Sequence, residues 1–295
     1  MITHGVTPAV RHFRANGVEY RVLDWSPPSW SAVALLLHGY MDAGSTWDLV
    51  APALMAANLR VLAPDLRGFG EGARVGAGGY YHFPDYIFDV ADLVDVAVAS
   101  APLYVVGHSM GGTVATQYTG AFPERVTKLA LLEGAGPPDN PPEVAPTRMR
   151  RWIDQVRDLR AKGAAPRSLG TREAALRRLK ANHTGVDEAI LAHRLPHLVR
   201  EMEGGEVTWA NDPLHRTISP MPFFARNFMA FANAVTCPVL YIGGGPTGYH
   251  PPDEDERLKA FRDLTHVDIE GAGHMMHWTK PDELAAHLVA FWQKP

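Results

Sequence analysis

Short apolar segments alternate with helix-length amphipathic segments along most of the chain, a pattern typical of strands covered by helices on both faces. The strand-like segments are rich in β-branched or other apolar residues and lie at residues 31–38, 59–64, 103–107, 126–133, 238–243 and 266–269. The segments between them predict helices at residues 47–58, 85–99, 111–122, 253–264 and 281–292. This alternation predicts an α/β fold with one doubly wound, mostly parallel sheet.

A hairpin is predicted ahead of this sheet. Polar and apolar residues alternate at 12–14 and again at 19–24, and Asn16-Gly17 lies between the two stretches. Asn-Gly is the dipeptide that tight hairpin turns favour, so we expect two antiparallel strands there.

One long stretch interrupts the strand–helix alternation. Residues 137–234 contain no convincing strand, and amphipathic helices are predicted at 150–160, 172–182 and 186–200. Proline-rich sequence begins this stretch, and Cys237-Pro238 follows it. We therefore predict a sheet domain at residues 1–136 and 235–295, with a helical cap inserted at 137–234.

Composition excludes several classes of protein. The 295 residues carry 28 Lys and Arg against 32 Asp and Glu, a net charge of −4, which argues against nucleic acid or an anionic membrane as partner. Cys237 is the single cysteine, so no internal disulfide can form, and a reducing compartment is expected. The N-terminal residues do not resemble a targeting signal, and no apolar run approaches the roughly 20 residues that span a bilayer. These features predict a soluble, cytoplasmic protein.

A candidate nucleophile lies between a predicted strand and a predicted helix. Ser109 is the serine of Gly107-His108-Ser109-Met110-Gly111-Gly112. A sharp strand-to-helix turn lifts such a serine out of the sheet, and glycines two residues to either side avoid a collision of Cβ atoms. Gly-x-Ser-x-Gly alone is common, but in this context it indicates a nucleophile elbow.

A serine hydroxyl needs a base, and His274 in Gly271-Ala272-Gly273-His274 follows the last predicted strand. His38, His108 and His277 are expected to be structural neighbours of the site. His193 and His197 have the spacing of a metal pair, but Pro196 lies between them and no third ligand is evident. No metal is therefore expected.

Two backbone N–H groups should stabilise the oxyanion that forms when the serine attacks. Met110 follows the nucleophile, and Tyr40 follows the strand that ends in His38-Gly39. The backbone N–H groups of Tyr40 and Met110 are the predicted donors, with an ordinary glycine turn as the alternative at Gly39.

Together these motifs resemble the α/β-hydrolase superfamily over nearly the whole chain. The resemblance rests on His38-Gly39, Gly107–Gly112, Gly273-His274 and the segment Pro64-Asp65-Leu66-Arg67-Gly68-Phe69-Gly70. More narrowly, the chain is similar to serine-hydrolase-like members with a helical cap after the sixth strand. The resemblance implies an eight-stranded sheet and ester-type hydrolysis without a cofactor, although the superfamily also includes lactonases, carbon–carbon bond hydrolases and noncatalytic receptors.

The chain departs from the family at the triad acid. Many members place an aspartate after the seventh strand, but the corresponding residues 243–250 contain no carboxylate. Glu133, at the end of the sixth strand, is the preferred candidate because an acid there is costly unless it is paired. Asp253, Asp255 and a site without an acid remain alternatives.

The same glycine-rich segment formally matches a dinucleotide-binding fingerprint, Gly243-x-Gly245-x-x-Gly248. Pro251-Pro252 delays the following helix, so its N-terminus would not reach a pyrophosphate in the usual way. We expect no cofactor.

The cap is expected to select the substrate. Met221, Phe223, Phe224 and Phe228 are candidates for an apolar wall over the site, although they could equally attach the cap to the sheet. The sequence predicts a serine hydrolase that cleaves a small carboxylic ester or lactone with an apolar portion through an acyl-enzyme. The alternatives are a carbon–carbon bond hydrolase with the same Ser109 and His274, and a noncatalytic ligand-binding protein.

Overall fold

The computed structural model describes residues 6–294, whose core is an eight-stranded sheet. The strands in chain order are β1 (Ala9–Ala15), β2 (Val18–Trp25), β3 (Ala32–Leu37), β4 (Leu59–Pro64), β5 (Leu103–His108), β6 (Lys128–Leu132), β7 (Val199–Glu201), β8 (Val207–Trp209), β9 (Val239–Gly243) and β10 (Leu264–Asp268). The sheet omits β7 and β8, and its order is β1-β2-β4-β3-β5-β6-β9-β10. β2 is antiparallel to both β1 and β4, and the other neighbouring pairs are parallel. The predicted fold class is confirmed.

The hairpin turn between β1 and β2 forms as the sequence predicts. Asn16 and Gly17 both have positive φ, at 44° and 74°. A two-residue turn with positive φ at both positions matches the twist of its flanking strands, and asparagine and glycine tolerate it best.

Alternate residues of the buried strands point to opposite faces, so the sheet has a hydrophobic core on each side. Val105 packs in one core and the adjacent Val106 in the other. This arrangement explains why the central strands are apolar throughout.

Helices cover both faces of the sheet. In chain order they are α1 (Ala51–Ala56), α2 (Phe83–Leu93), α3 (Met110–Ala121), α4 (Ala145–Ala161), α5 (Arg172–Asn182), α6 (Glu188–Leu198), α7 (Ala225–Ala234), α8 (Glu254–Leu258), α9 (Met276–Thr279) and α10 (Pro281–Gln293). α2, α3 and α7 pack on the face that contains Val105, and α1 and α10 pack on the face that contains Val106.

Two predicted helices are shorter than expected. Within the helix predicted at 47–58, α1 is the α-helical part, and a 3₁₀ turn at Gly44–Trp47 precedes it. The helix predicted at 253–264 is reduced to α8, which ends at Leu258; turns follow, and Leu264 already belongs to β10. No helix among residues 6–294 combines the length and apolarity needed to cross a membrane.

The segment between β6 and β9 is mostly helical and contains α4, α5, α6 and α7. The prediction that it contains no strand is wrong, since β7 pairs with β8. α5, α6 and this hairpin share a small core with Trp278, which α9 carries after β10.

α7, the last helix of the predicted cap, packs on the main sheet and not with α5 and α6. Phe228 and Ala232 of α7 lie in the main core, and a Cβ on Gly120 of α3 would approach the Phe231 carbonyl oxygen to 2.4 Å. α7 therefore covers the sheet, although it falls within the predicted insertion at 137–234. The division into two domains stays a prediction.

Candidate active site

The predicted site residues meet at the carboxyl edge of the parallel strands. Tyr40 lies just beyond β3, Ser109 beyond β5, Glu133 beyond β6 and His274 beyond β10. In open α/β sheets this edge is where ligands bind. The topology thus brings together residues that are far apart in the sequence.

Ser109 has the strained backbone expected of a nucleophile elbow. Its φ of 51° and ψ of −115° lie outside the regions that non-glycine residues usually occupy. The turn is closely packed: a Cβ on Gly107 would lie 2.4 Å from the Gly111 carbonyl oxygen, and one on Gly111 would lie 2.3 Å from that of Leu37. Glycine is required at both positions because each backbone passes directly against another.

The carboxylate of Glu133 is hydrogen-bonded to His274. Glu133 is 2% exposed, and its Oε2 lies 2.6 Å from His274 Nδ1. Nδ1 donates to the carboxylate, which leaves Nε2 as the acceptor on the other side of the ring. This contact is the geometry that an orienting acid and a base require.

The glycine-rich loop after β9 encloses this carboxylate. The Gly244 N–H donates to Oε1 and the Tyr249 N–H to Oε2, each at 2.6 Å. A Cβ on Gly248 would lie 1.9 Å from Oε1. Gly248 of the dinucleotide-like segment and the neighbouring Gly244 thus make room for Glu133. Sequence reasoning missed this role, although the absence of an acid in the loop pointed to it.

Asp253 and Asp255, the alternative acids, lie elsewhere. Asp253 pairs with Arg257, at 2.7 Å between its Oδ1 and a guanidinium nitrogen. Asp255 lies within α8, where its carbonyl oxygen accepts from the Lys259 N–H at 3.2 Å. In the described structure Glu133 is the carboxylate that contacts His274.

The predicted oxyanion donors lie beside the nucleophile. The Asp42 N–H donates to the Gly39 carbonyl oxygen at 3.4 Å, forming a turn in which Met41 has a φ of 64°. A Cβ built on Gly39 would lie 3.4 Å from the Cβ of Ser109, so Gly39 contacts the nucleophile elbow directly. Tyr40 is the next residue, and its backbone therefore lies beside Ser109. Met110 is the first residue of α3, where backbone N–H groups are not used within the helix.

Three buried histidines support the site. His108 Nε2 lies 2.8 Å from the carbonyl oxygen of His274, to which it donates, and the His108 ring packs 4.4 Å from that of His277. Burial lowers the pKa of His108 well below its usual value, and His277 and His274 lower it further. His38 Nε2 accepts from the Leu66 N–H at 3.0 Å. These contacts agree with the structural roles expected for them.

Asp42 and Arg194 form a buried polar group behind His274 that sequence reasoning missed. Asp42 Oδ2 accepts from the Thr46 hydroxyl at 2.6 Å and lies 3.6 Å from His277 Nε2. Burial alone would raise the pKa of Asp42, but His277 and the charge of Arg194 hold it well below its usual value. The spacing of Arg194 with Leu191 and Leu198 on one helix face was the signal that it is buried.

His193 and His197 do not come together around a shared third ligand in the described residues. His193 Nε2 instead lies 2.8 Å from Asp48 Oδ2.

Two cavities border Ser109. The first, which we call the tyrosine cavity, has a volume of about 300 Å³, and its lining includes Ser109, Met110, Thr113, Tyr81, Phe83 and Tyr86. The second, the histidine cavity, has a volume of about 260 Å³, and its lining includes Ser109, His274, Asn182, His183, Asn211 and Trp278. Tyr40 borders both.

The four predicted substrate-binding residues of the cap do not line either cavity. Phe228 is fully buried in the core, Met221 is 64% exposed, and Arg257 lies over the ring of Phe223. Phe224 is half-buried beneath the Arg226 guanidinium. Phe228 of α7 packs in the core, and Phe223 is partly buried against the same core, so at least these two side chains attach the segment to the sheet. The sequence pattern alone did not distinguish this use from a substrate wall.

Known proteins share this fold. A family model described as alpha/beta hydrolase fold matches residues 33–281. A serine hydrolase-like protein of Danio rerio is 33% identical over 93% of this chain and 85% of its own length. Epoxide hydrolase A of Mycobacterium tuberculosis is 25% identical over 96% of this chain and 97% of its own length.

Among solved structures, a hypothetical protein of Pseudomonas aeruginosa PAO1 superposes with a TM-score of 0.82 at 24% identity, covering 98% of this chain and 100% of the other. The family model and the Danio rerio relative each span most of the chain. The chain therefore belongs to the α/β-hydrolase fold family and is a hydrolase of that fold.

Proposed function

We propose that this hydrolase cleaves a small carboxylic ester or lactone through an acyl-enzyme formed on Ser109. The observation that carries the proposal is the 2.6 Å contact between Glu133 Oε2 and His274 Nδ1, beside a serine at a strained strand-to-helix turn. A buried acid, a histidine and a nucleophilic serine at one sheet edge are the groups that acyl transfer requires.

The chemistry follows from these positions. His274 Nε2 takes the Ser109 proton as the oxygen attacks the carbonyl carbon, and the backbone N–H groups of Tyr40 and Met110 stabilise the oxyanion. His274 then gives the proton to the leaving oxygen, and the acyl group stays on Ser109. Water, activated by the same histidine, hydrolyses that ester and releases the acid. Glu133 holds the ring orientation and stabilises the imidazolium throughout.

The tyrosine cavity supports a substrate with an apolar portion. Phe83 and the rings of Tyr81 and Tyr86 form much of its wall, and its volume is at the lower end of the ~300–1,000 Å³ typical of small-molecule sites. Burial raises the pKa of Tyr86 well above its usual value, so its phenol is neutral at physiological pH. The cavity favours a compact, uncharged acyl group.

The relative named as an epoxide hydrolase raises a different chemistry. On this fold that reaction uses an aspartate at the nucleophile position, and this chain has Ser109 there. A serine at the elbow favours acyl transfer instead.

Labelling with a serine-directed phosphonate, followed by peptide mapping, tests the proposal directly. We expect the label on Ser109, together with hydrolysis of short aryl esters that Ser109→Ala abolishes. Ser100→Ala, on an exposed serine, is the matched control and should retain full activity. Equal residual rates in Ser109→Ala and the parent would refute catalysis by this serine and favour a ligand-binding protein.

A further inference from the structure

The two cavities differ in their relation to the reacting groups. During acylation His274 must protonate the leaving oxygen, so the alcohol part of an ester lies on the His274 side of Ser109. His274 lines the histidine cavity, whereas Met110 and Thr113 of α3 line the tyrosine cavity. This assigns the alcohol to the histidine cavity and the acyl group to the tyrosine cavity.

The inserted segment contributes both apolar and polar side chains to the lining of the histidine cavity. His183, just after α5, and Asn211, shortly after β8, both line it. Neither ring nitrogen of His183 hydrogen-bonds to any group within residues 6–294. Asn211 is 6% exposed and donates to the Asp212 carbonyl oxygen at 3.3 Å, and across the described chain no donor reaches its Oδ1. These groups are available to a ligand.

Trp278 packs beside the His183 ring. The two ring centroids are 5.2 Å apart, and Trp278 Nε1 donates to the Thr46 hydroxyl oxygen at 2.6 Å. Trp278 is buried on the segment that carries His274, so this contact places His183 in the same cavity as the reacting histidine.

Charge restricts what this cavity accepts. Burial lowers the pKa of His183, so the ring is neutral at pH 7 and offers one donor and one acceptor. Among the described residues no Lys or Arg lines the cavity, whereas the acid Asp42 does, and this lining disfavours an anionic ligand. An uncharged ligand with several hydroxyl groups can both donate to and accept from His183 and Asn211.

We propose that the histidine cavity selects esters of an uncharged polyol, and that His183 and Asn211 bind the free hydroxyl groups of the leaving alcohol. The inference rests on the proposed function and names the alcohol part of its substrate.

Two esters with the same acyl group test it: glycerol monobutyrate and propyl butyrate. Both form the same butyryl-enzyme, so any difference in kcat/KM arises before the alcohol leaves. We expect the parent protein to prefer the glycerol ester. His183→Phe and Asn211→Leu should each lower kcat/KM for that ester by about threefold to tenfold, the value of one lost hydrogen bond. The kcat/KM for propyl butyrate should change less than about twofold, which also shows that each variant is folded.

His183→Gln, which keeps a donor and an acceptor, should restore part of the preference. His12→Phe, on the exposed surface of β1, is the control and should change neither rate. Equal losses for both esters, or a parent preference for propyl butyrate, would overturn the inference while Ser109 labelling left the proposed function standing. Failure of Ser109 labelling with no hydrolysis of either ester would overturn both.

Discussion

Glu133 is a buried carboxylate surrounded by hydrogen-bond donors. Its two oxygens accept from the Gly244 N–H, the Tyr249 N–H and His274 Nδ1. Its φ of 45° is unusual for a non-glycine residue and aims the side chain into this pocket. A group that only accepts hydrogen bonds satisfies all three donors, and no neutral side chain of the same shape does so.

Glu133→Gln should therefore lower kcat by about 10⁴-fold, as when the acid of a template triad is neutralised. The amide nitrogen would face an N–H group, and the imidazolium would lose its counter-charge. Steady-state hydrolysis of a chromogenic ester measures the effect, with circular dichroism to check folding.

The matched control is Glu143→Gln, which changes an exposed acid beyond the site and should leave kcat unaltered. A loss under about threefold in folded Glu133→Gln would assign the orienting role to another group.

At the scale of the element, the loop between β9 and α8 is held in place by His250. Its Nδ1 lies 2.7 Å from Glu254 Oε2, and its Nε2 lies 2.9 Å from the Gly245 carbonyl oxygen. Both partners are acceptors, so both ring nitrogens donate only in the imidazolium form. The Gly245 carbonyl and the Glu254 carboxylate, together with the charge of Glu133, raise the pKa of His250.

The raised pKa predicts a pH-dependent loop. The pKa of His250 is higher in the folded protein than in the unfolded chain, where it is about 6.5. The contribution of His250 to stability is therefore fully present below about pH 6.5 and is lost as pH rises through the folded-state pKa. Hydrogen exchange at Tyr249, corrected for its intrinsic pH dependence, should lose protection over that interval.

His250→Asn should remove this step, whereas His82→Asn, on an exposed histidine at the start of α2, should keep it. A step that persists in His250→Asn would assign the pH dependence to another group.

Across the whole molecule, Arg194 connects the inserted segment to the site. It is fully buried on α6, donates to the Ser45 carbonyl oxygen at 2.7 Å and to Asp48 Oδ1 at 3.1 Å, and lies over the ring of Trp278. These contacts join α6 to the segment after β3 and to the segment that carries His274. The inserted helices therefore help to fix the walls of the histidine cavity.

Arg194→Met should lower the free energy of unfolding by about 3–5 kcal/mol, because the buried acid Asp42 loses a nearby cation and Ser45 loses a donor. Arg172→Met removes an exposed arginine paired with Glu201 in the same segment and should cost less than about 1 kcal/mol. Urea unfolding compares the two. Similar losses of unfolding free energy in both variants would contradict the stabilising role of the buried Arg194.

The sequence by itself determined the sheet, because its strands are short, apolar and separated by helices, and this pattern depends on local order alone. It also indicated Ser109 and His274, because their motifs lie in the predicted strand and helix context and in the order that the fold requires. From the sequence, Glu133 was only the preferred acid over Asp253 and Asp255. The contact that distinguishes them joins Glu133 to His274, 141 positions apart, and local sequence does not show it.

Only the tertiary structure decided what the glycine loop and the apolar run near α7 do. Gly244 and Gly248 lie against Glu133, and Phe228 fills the core, because each packs against partners distant in the sequence. The place of His183 and Asn211 in the histidine cavity was likewise not evident, since neither residue belongs to a motif. Periodicity records which face of an element is buried, whereas the neighbour across that face is set by how the whole chain folds.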